Sequence, residues 1–214
     1  MKIAVIGATG RTGRPLVTEL LCRGHTVAVL VRDTTKLDHL AGGVEVIAGD
    51  SRTRADLDRL VAGVDAVVSA LGPTAKEGNL HTETATALVE AMHAAGVTRF
   101  VGVSGAGIDV PGDQKSLSAK LISRAIQTLG GEVVKDKPAE YAVFAASDLD
   151  WTLVRPPRLV DGDPTGHLEH DAHRSTKSTK IARADLATFL ADVVEQGLYP
   201  RQAPFVATAR RSQA

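Results

Sequence analysis

MKIAVIGATGRTGR, residues 1–14, opens with an apolar run, Ile3 to Ile6, that stops at three glycines, Gly7, Gly10 and Gly13. A short continuous apolar run suits a parallel strand covered on both faces. Glycines directly after such a strand permit a tight turn and let backbone N–H groups approach a ligand with no Cβ in the way. The helix that follows would aim its partly positive N-terminus at a pyrophosphate. Pro15 suits a first helical turn, where no acceptor awaits the N–H it lacks, and Leu16, Val17, Leu20 and Leu21 supply an apolar face before Gly24 ends the helix. The spacing is G-x-x-G-x-x-G instead of the commoner G-x-G-x-x-G, so the flanking strand and helix carry the reading of a nucleotide loop.

The next strand, TVAVLV at Thr26 to Val31, ends in Arg32, Asp33, Thr34, Thr35 and Lys36. In a dinucleotide fold an acid at this point takes the ribose hydroxyls of NAD, whereas an arginine accommodates the 2′-phosphate of NADP. Arg32 offers a planar fork to a phosphate, with Lys36 and Arg11 as further cations, and Asp33 would oppose it. Three cations against one acid favour NADP, used as NADPH, with NAD as the alternative.

Further strands are expected at Val44 to Ala48, Asp65 to Ser69, Arg99 to Val103 and Trp151 to Val154. Helices are expected at Ala55 to Val61, Asn79 to Ala95, Leu117 to Leu129 and Pro138 to Ala146. In the long second of these, Leu80, Thr84, Leu88 and Met92 recur every fourth residue and share a face. The alternation predicts an α/β fold of Rossmann type, a doubly wound, mostly parallel sheet with helices on both faces. Ligands of such sheets lie beyond the carboxyl ends of the strands. Gly7 to Gly13, Arg32, Asp50 and Ser51, Ala70 to Pro73, Ser104 to Gly107 and Arg155 to Pro157 should therefore converge on one crevice. Asp50 can accept from an adenine amino group or cap its own turn, and the small residues around Leu71 and Gly72 allow close approach to a cofactor backbone.

Composition narrows the classes of function. The chain has 214 residues, 43% of them hydrophobic, and no linker divides it, so it reads as one nucleotide-binding domain over residues 1–214 with a small substrate-covering C-terminal portion. Its 25 basic and 25 acidic residues balance, which gives no general field to draw in nucleic acid or an anionic membrane. Cys22 is the only cysteine, so no internal disulfide and no multi-cysteine metal site can form. With no secretion signal or transmembrane span in the sequence, the expected setting is cytoplasmic, as a monomer or small homo-oligomer that binds a small-molecule substrate.

GATGRTG, VLVRDTTKL, AGD at 48–50, VDAVVSALG at 64–72, GVTRFVGVS at 96–104 and SDLDWTLVRPP at 147–157 resemble the atypical short-chain dehydrogenase/reductase superfamily. Within it the likeness is to the NAD(P)H-binding group of flavin reductase, also called biliverdin reductase B, with NmrA-type regulators more distant. IARADLATFL at 181–190 is similar to the family's late helix. The resemblance implies a reductase that passes hydride from NADPH to a flavin, a quinone, a tetrapyrrole or another small conjugated acceptor. It puts the diphosphate loop on Thr9, Gly10, Arg11, Thr12 and Gly13, the 2′-phosphate contact on Arg32 with Lys36 nearby, the adenine contact on Asp50, and the nicotinamide side on Leu71, Gly72 and Ser104. The usual Tyr-x-x-x-Lys pair is missing, since Ala145 lies four residues after Tyr141 and Ala203 four after Tyr199. The flavin reductase serine falls at Gly105, which leaves Ser104 as the candidate catalytic hydroxyl.

Three further features have two readings each. Lys137, placed before a helix, is either a solvated lysine or a substrate-facing cation. Arg155 either steers an anionic substrate or pairs with a buried acid. His167, His170 and His173 are spaced by three in a Gly- and Pro-containing stretch, where such steps alternate faces, so no metal site is assigned. The competing function is a non-catalytic NADP-binding sensor of the NmrA type. A sugar-nucleotide epimerase is disfavoured by the missing Tyr-x-x-x-Lys pair and by the lack of a large C-terminal substrate domain.

Overall fold

A computed structural model of the chain describes residues 1–40, 43–72, 78–116, 121 and 131–209. Six strands, β1 (Lys2–Ile6), β2 (Thr26–Val31), β3 (Val44–Ala48), β4 (Ala66–Ser69), β5 (Arg99–Val103) and β6 (Asp150–Val154), form one parallel sheet in the order β3-β2-β1-β4-β5-β6. Ile6 stands opposite Leu30 on one side and Ser69 on the other, and Ser69 stands opposite Gly102. The strand order therefore reverses beside β1, and the carboxyl ends of β1, β2, β4 and β5 finish at one level.

The apolar strands are buried on both faces because successive side chains point to opposite sides. Ile3 and Val5 of β1 join Leu16, Val17 and Leu20 of α1 (Gly13–Cys22) and the apolar side of α5 (Arg183–Glu195) in one core. Ala4 and Ile6 face a second core with α2 (Arg54–Val61), α3 (Leu80–Ala95) and α4 (Gly131–Ala146). Phe100 of β5 stacks on Phe144 of α4 at 4.2 Å between ring centres there. Leu80, Thr84, Leu88 and Met92 are all buried, as their four-residue repeat predicts. No helix among the described residues is long and apolar enough to cross a membrane.

Local expectations fail in two places, and a third falls on residues that are not described. The expected helix at 117–129 lies, Leu121 apart, outside the described residues. Pro138 does not open a helix; α4 begins at Gly131 and carries Pro138 in its interior. The resemblance to a late helix at 181–190 also runs two residues too far. Ile181 and Ala182 belong to β9 (Lys180–Ala182), paired with β7 (Arg158–Val160), and the helix starts at Arg183. A second small sheet, β8 (Leu168–Asp171) with β10 (Phe205–Thr208), completes this outer part.

Arg155, directly after β6, is fully buried, so the substrate-steering reading gives way to the structural one. Its two terminal nitrogens each donate to Asp113 at 2.7 Å, its Nε donates to the Ala203 carbonyl at 2.6 Å, and its guanidinium lies 3.7 Å from the centre of the Phe205 ring. This fork ties the loop after β5 to the C-terminal strand. Removing only the acid leaves the charge buried, so Asp113→Ala should cost about 3–5 kcal/mol in urea unfolding. A loss below about 1 kcal/mol would contradict this role.

Candidate active site

The turn after β1 closes through the Gly10 N–H, which donates to the Gly7 carbonyl at 3.0 Å. Gly7 has φ +80°, and a Cβ there would come within 2.9 Å of the Ala70 and Leu71 backbone. A Cβ on Gly13 would stand 2.0 Å from the Gly7 carbonyl oxygen. These glycines let the β1–α1 turn fold onto itself and against the end of β4. Thr12 precedes α1 with no capping hydrogen bond from its side chain. The first helical N–H groups are thus not capped by that hydroxyl and suit an anion.

Beside the turn is a cleft of about 250 Å³, walled by Gly7, Thr9 and Gly10, by Arg32, by Asp50 and Ser51, and by Leu71 and Gly72. Ile6, Leu30, Val31, Gly49, Ala70 and Leu80 line the rest of it. The structure thus brings together residues from four strand ends. Arg11, Thr12, Gly13 and Lys36 do not line it. Lys36 is exposed, with its Nζ 3.6 Å from Asp33, and the Asp33 carboxylate accepts from the Thr35 N–H and hydroxyl. Of the three cations counted for the 2′-phosphate, Arg32 is the one that lines the cleft, and Asp33 is engaged in its own turn.

Asp50 takes up its turn-capping role. Its carboxylate accepts from the Arg52 backbone N–H at 2.9 Å and from the Arg52 guanidinium at 3.0 Å, and these contacts hold it below the usual carboxylate range. Arg52 is thus a second cation at this end of the cleft that sequence reasoning missed. Ser51 is buried, its hydroxyl 2.9 Å from that of Thr84, which ties the cleft floor to α3.

Ser104 lies two residues beyond Gly102, as Leu71 lies two beyond its partner Ser69, so the two occupy equivalent places on neighbouring strands. It is outside the residues that line the cleft. Its backbone N–H donates to Val154 at 2.7 Å, while its buried Oγ has no hydrogen-bond partner among the described residues.

Next to it is a buried polar network that sequence reasoning did not find. Lys137 is inside α4, so it is not a solvated residue at a helix start. Its Nζ donates to the Val103 carbonyl at 3.0 Å and to Glu140 at 2.9 Å, and lies 2.9 Å from His81 Nδ1. An ammonium has three donors and no acceptor, so Nδ1 accepts and these three partners use all of its protons. Asp136 accepts from the backbone N–H groups of His81 and Thr82 at 2.7 and 2.9 Å, which caps α3 in place of Asn79. Burial pushes Glu140 up. Burial, helped by the Lys137 charge, lowers His81 from 6.5 to about 3.

The three C-terminal histidines do not gather into a metal-binding group among the described residues, and His170 Nδ1 meets the Tyr199 hydroxyl at 2.5 Å.

The family model for NAD(P)H-binding proteins matches residues 7–197. This chain belongs to that NAD(P)H-binding family. The family's cofactor suits what the structure offers: glycines where a Cβ would clash with neighbouring backbone and a cleft lined by Arg32. The Bacillus subtilis (strain 168) protein YwnB is 28% identical over 91% of this chain and 92% of its own length. An isoflavone reductase homolog of Zea mays is 29% identical over 88% of this chain, which spans 62% of the maize protein. The solved structure of an anaerobillin reductase from Escherichia coli O157:H7 shares the fold, with a TM-score of 0.82 over the full length of both chains at 19% identity.

The His81 shift has a sign that can be measured. The unfolded chain protonates this ring below about pH 6.5, whereas the native ring stays neutral to about 3. Stability should fall as pH drops through that window, by up to about 1.4 kcal/mol per pH unit from this group. Urea unfolding at several pH values should show a shallower acid slope in His81→Gln, and an unchanged slope would contradict the assignment.

Proposed function

We propose that the protein is an NADPH-dependent reductase that transfers hydride to a small conjugated acceptor such as a flavin, a quinone or a tetrapyrrole. The observation that carries this reading is Ser104, a buried hydroxyl just past the end of β5 that has no hydrogen-bond partner among the described residues. Backbone donors of residues 9–13 would hold the diphosphate and Arg32 the 2′-phosphate, while Leu71 and Gly72 would lie along the cofactor toward Ser104. When bound, the nicotinamide supplies the hydride. Hydride transfer depends mainly on holding donor carbon and acceptor atom about 3 to 3.5 Å apart, so positioning accounts for much of the rate. Ser104 would orient the carboxamide or the acceptor through Oγ.

The missing Tyr-x-x-x-Lys pair supports a second reading, an NADP-binding sensor that does no chemistry. Loss of NADPH absorbance with a panel of FMN, FAD, quinones and biliverdin separates the two. The reductase reading expects turnover with at least one acceptor, and tight NADPH binding with no turnover would overturn it.

Two substitutions test the assigned roles. Arg32→Ala should weaken NADPH by roughly 10- to 100-fold, the loss of a charge-assisted contact, with much less effect on NADH; equal losses by calorimetry would refute the 2′-phosphate contact. Ser104→Ala should lower turnover yet leave the unfolding free energy of the nucleotide-free protein unchanged or slightly raised, because it removes a buried polar group that had no partner.

A further inference from the structure

The His81–Lys137 pair answers a chemical need that the proposed reaction creates. A neutral acceptor that gains a hydride, with its two electrons, is left with an anionic oxygen or nitrogen that must be protonated. Tyr-x-x-x-Lys, the pair that would provide this proton in short-chain enzymes, is absent, and Ser104 is a weak acid.

The geometry at the end of β5 supplies another source. His81 Nδ1 and the Val103 carbonyl meet at the same lysine nitrogen, at 2.9 and 3.0 Å, so the imidazole lies within two hydrogen bonds of the peptide that leads into Ser104. Leu80, the residue before it, lines the cleft. With Nδ1 fixed as an acceptor, the proton of the neutral ring must sit on Nε2. That nitrogen, across the ring from the lysine, is buried and has no hydrogen-bond partner among the described residues. A buried donor left unpaired is costly, and among the described residues the Ser104 Oγ, one residue past the Val103 carbonyl that Lys137 holds, is likewise buried without a partner.

We propose that His81 and Lys137 form a proton relay: His81 Nε2 gives its proton to the hydride-reduced acceptor while Nδ1 takes one from the Lys137 ammonium. The relay rests on the reductase reading. In this step the Nε2–H bond breaks as the acceptor O–H or N–H bond forms, and the Lys137 N–H bond breaks as the Nδ1–H bond forms. The nicotinamide is oxidised and the acceptor is reduced, and one proton from solvent restores the pair. The ring ends neutral, carrying its proton on Nδ1; it returns to the starting tautomer once the product has left, when Nε2 takes a proton from water and the Nδ1–H bond breaks to give its proton back to Lys137. Of the groups around His81, Asp136 is turned to the backbone N–H groups of His81 and Thr82. Glu140 pairs with Lys137 and stands 3.7 Å from Nδ1. All three come from one turn of α4, two of them, Lys137 and Glu140, facing Nδ1 and the third holding the backbone of His81.

His81→Gln separates proton transfer from positioning. Glutamine can accept from Lys137 through its carbonyl and donate through its amide, but it cannot pass a proton on. Two acceptors are compared under single turnover with NADPH: menadione, a neutral quinone whose reduction needs a proton, and methylene blue, a cation that hydride alone converts to its neutral form. The ratio of menadione to methylene blue rates should fall by about 100-fold in His81→Gln, within the usual range for losing a general acid. An unchanged ratio would overturn the relay and leave His81 a positioning residue. A second measurement does not depend on turnover or on how well the variant folds. Nitrogen-15 NMR of the wild-type protein should show a neutral His81 ring protonated on Nε2 down to about pH 5. A ring protonated on Nδ1, or charged at about pH 6, would overturn the relay. Failure of the wild type to reduce either acceptor would remove the reductase reading and, with it, the reaction the relay serves.

Discussion

Among the described glycines the tightest place is Gly13, where a side-chain carbon would stand 2.0 Å from the Gly7 carbonyl oxygen. That contact sets the angle at which α1 leaves β1. The helix then lies across the sheet and buries Leu16, Val17 and Leu20 against Ile3 and Val5, while its N-terminus stays beside the strand ends. Gly7 makes the matching approach to Ala70 and Leu71, which brings the loop after β4 to the same place. A methyl group at either glycine would push apart the elements that wall the cleft.

The reversal of strand order beside β1 does the rest. Because β1 lies between β2 and β4, its terminal loop faces Arg32 on one side and Leu71 on the other. The two ends of the resulting site differ in chemistry. The β2–β3 side is open and charged, with Arg32 lining the cleft and Arg52 fixed on Asp50. On the β4–β5 side the Lys137 network is part-buried and the Ser104 hydroxyl is buried. An exposed cationic end suits a phosphate that must come and go, whereas buried polar groups suit chemistry from which water is kept out.

Much of this could be read in the sequence. β2, β3 and β5 occupy the residues that their β-branched runs predict, and the four-residue repeat through Leu88 and Met92 is the buried face of α3. Such patterns are legible because each is set by neighbours within a few residues. Ile181 and Ala182 mislead for the same reason: they read as the start of the following helix, but pairing with Leu159 and Val160 across about twenty residues makes them a strand. Pro138 likewise marks a helix start locally, while the packing of α4 on α3 carries the helix through it. The site splits in the same way. Its glycines and Arg32 sit in motifs with fixed offsets, but His81 and Lys137 are 56 positions apart and meet only because both helices cover the same face of the sheet. No local pattern announces an acid–base pair assembled in that way. Asp50 shows a third case: its turn cap on Arg52 is formed, and the same carboxylate lines the cleft.

A crystal structure of the NADP complex is the most direct test of one crevice serving cofactor and chemistry together. It should place the adenosine phosphate against Arg32, the diphosphate over residues 9–13, and the nicotinamide beside Ser104 with Oγ in a hydrogen bond. A nicotinamide turned away from β5, with the Ser104 and His81 atoms still unpartnered, would contradict the account.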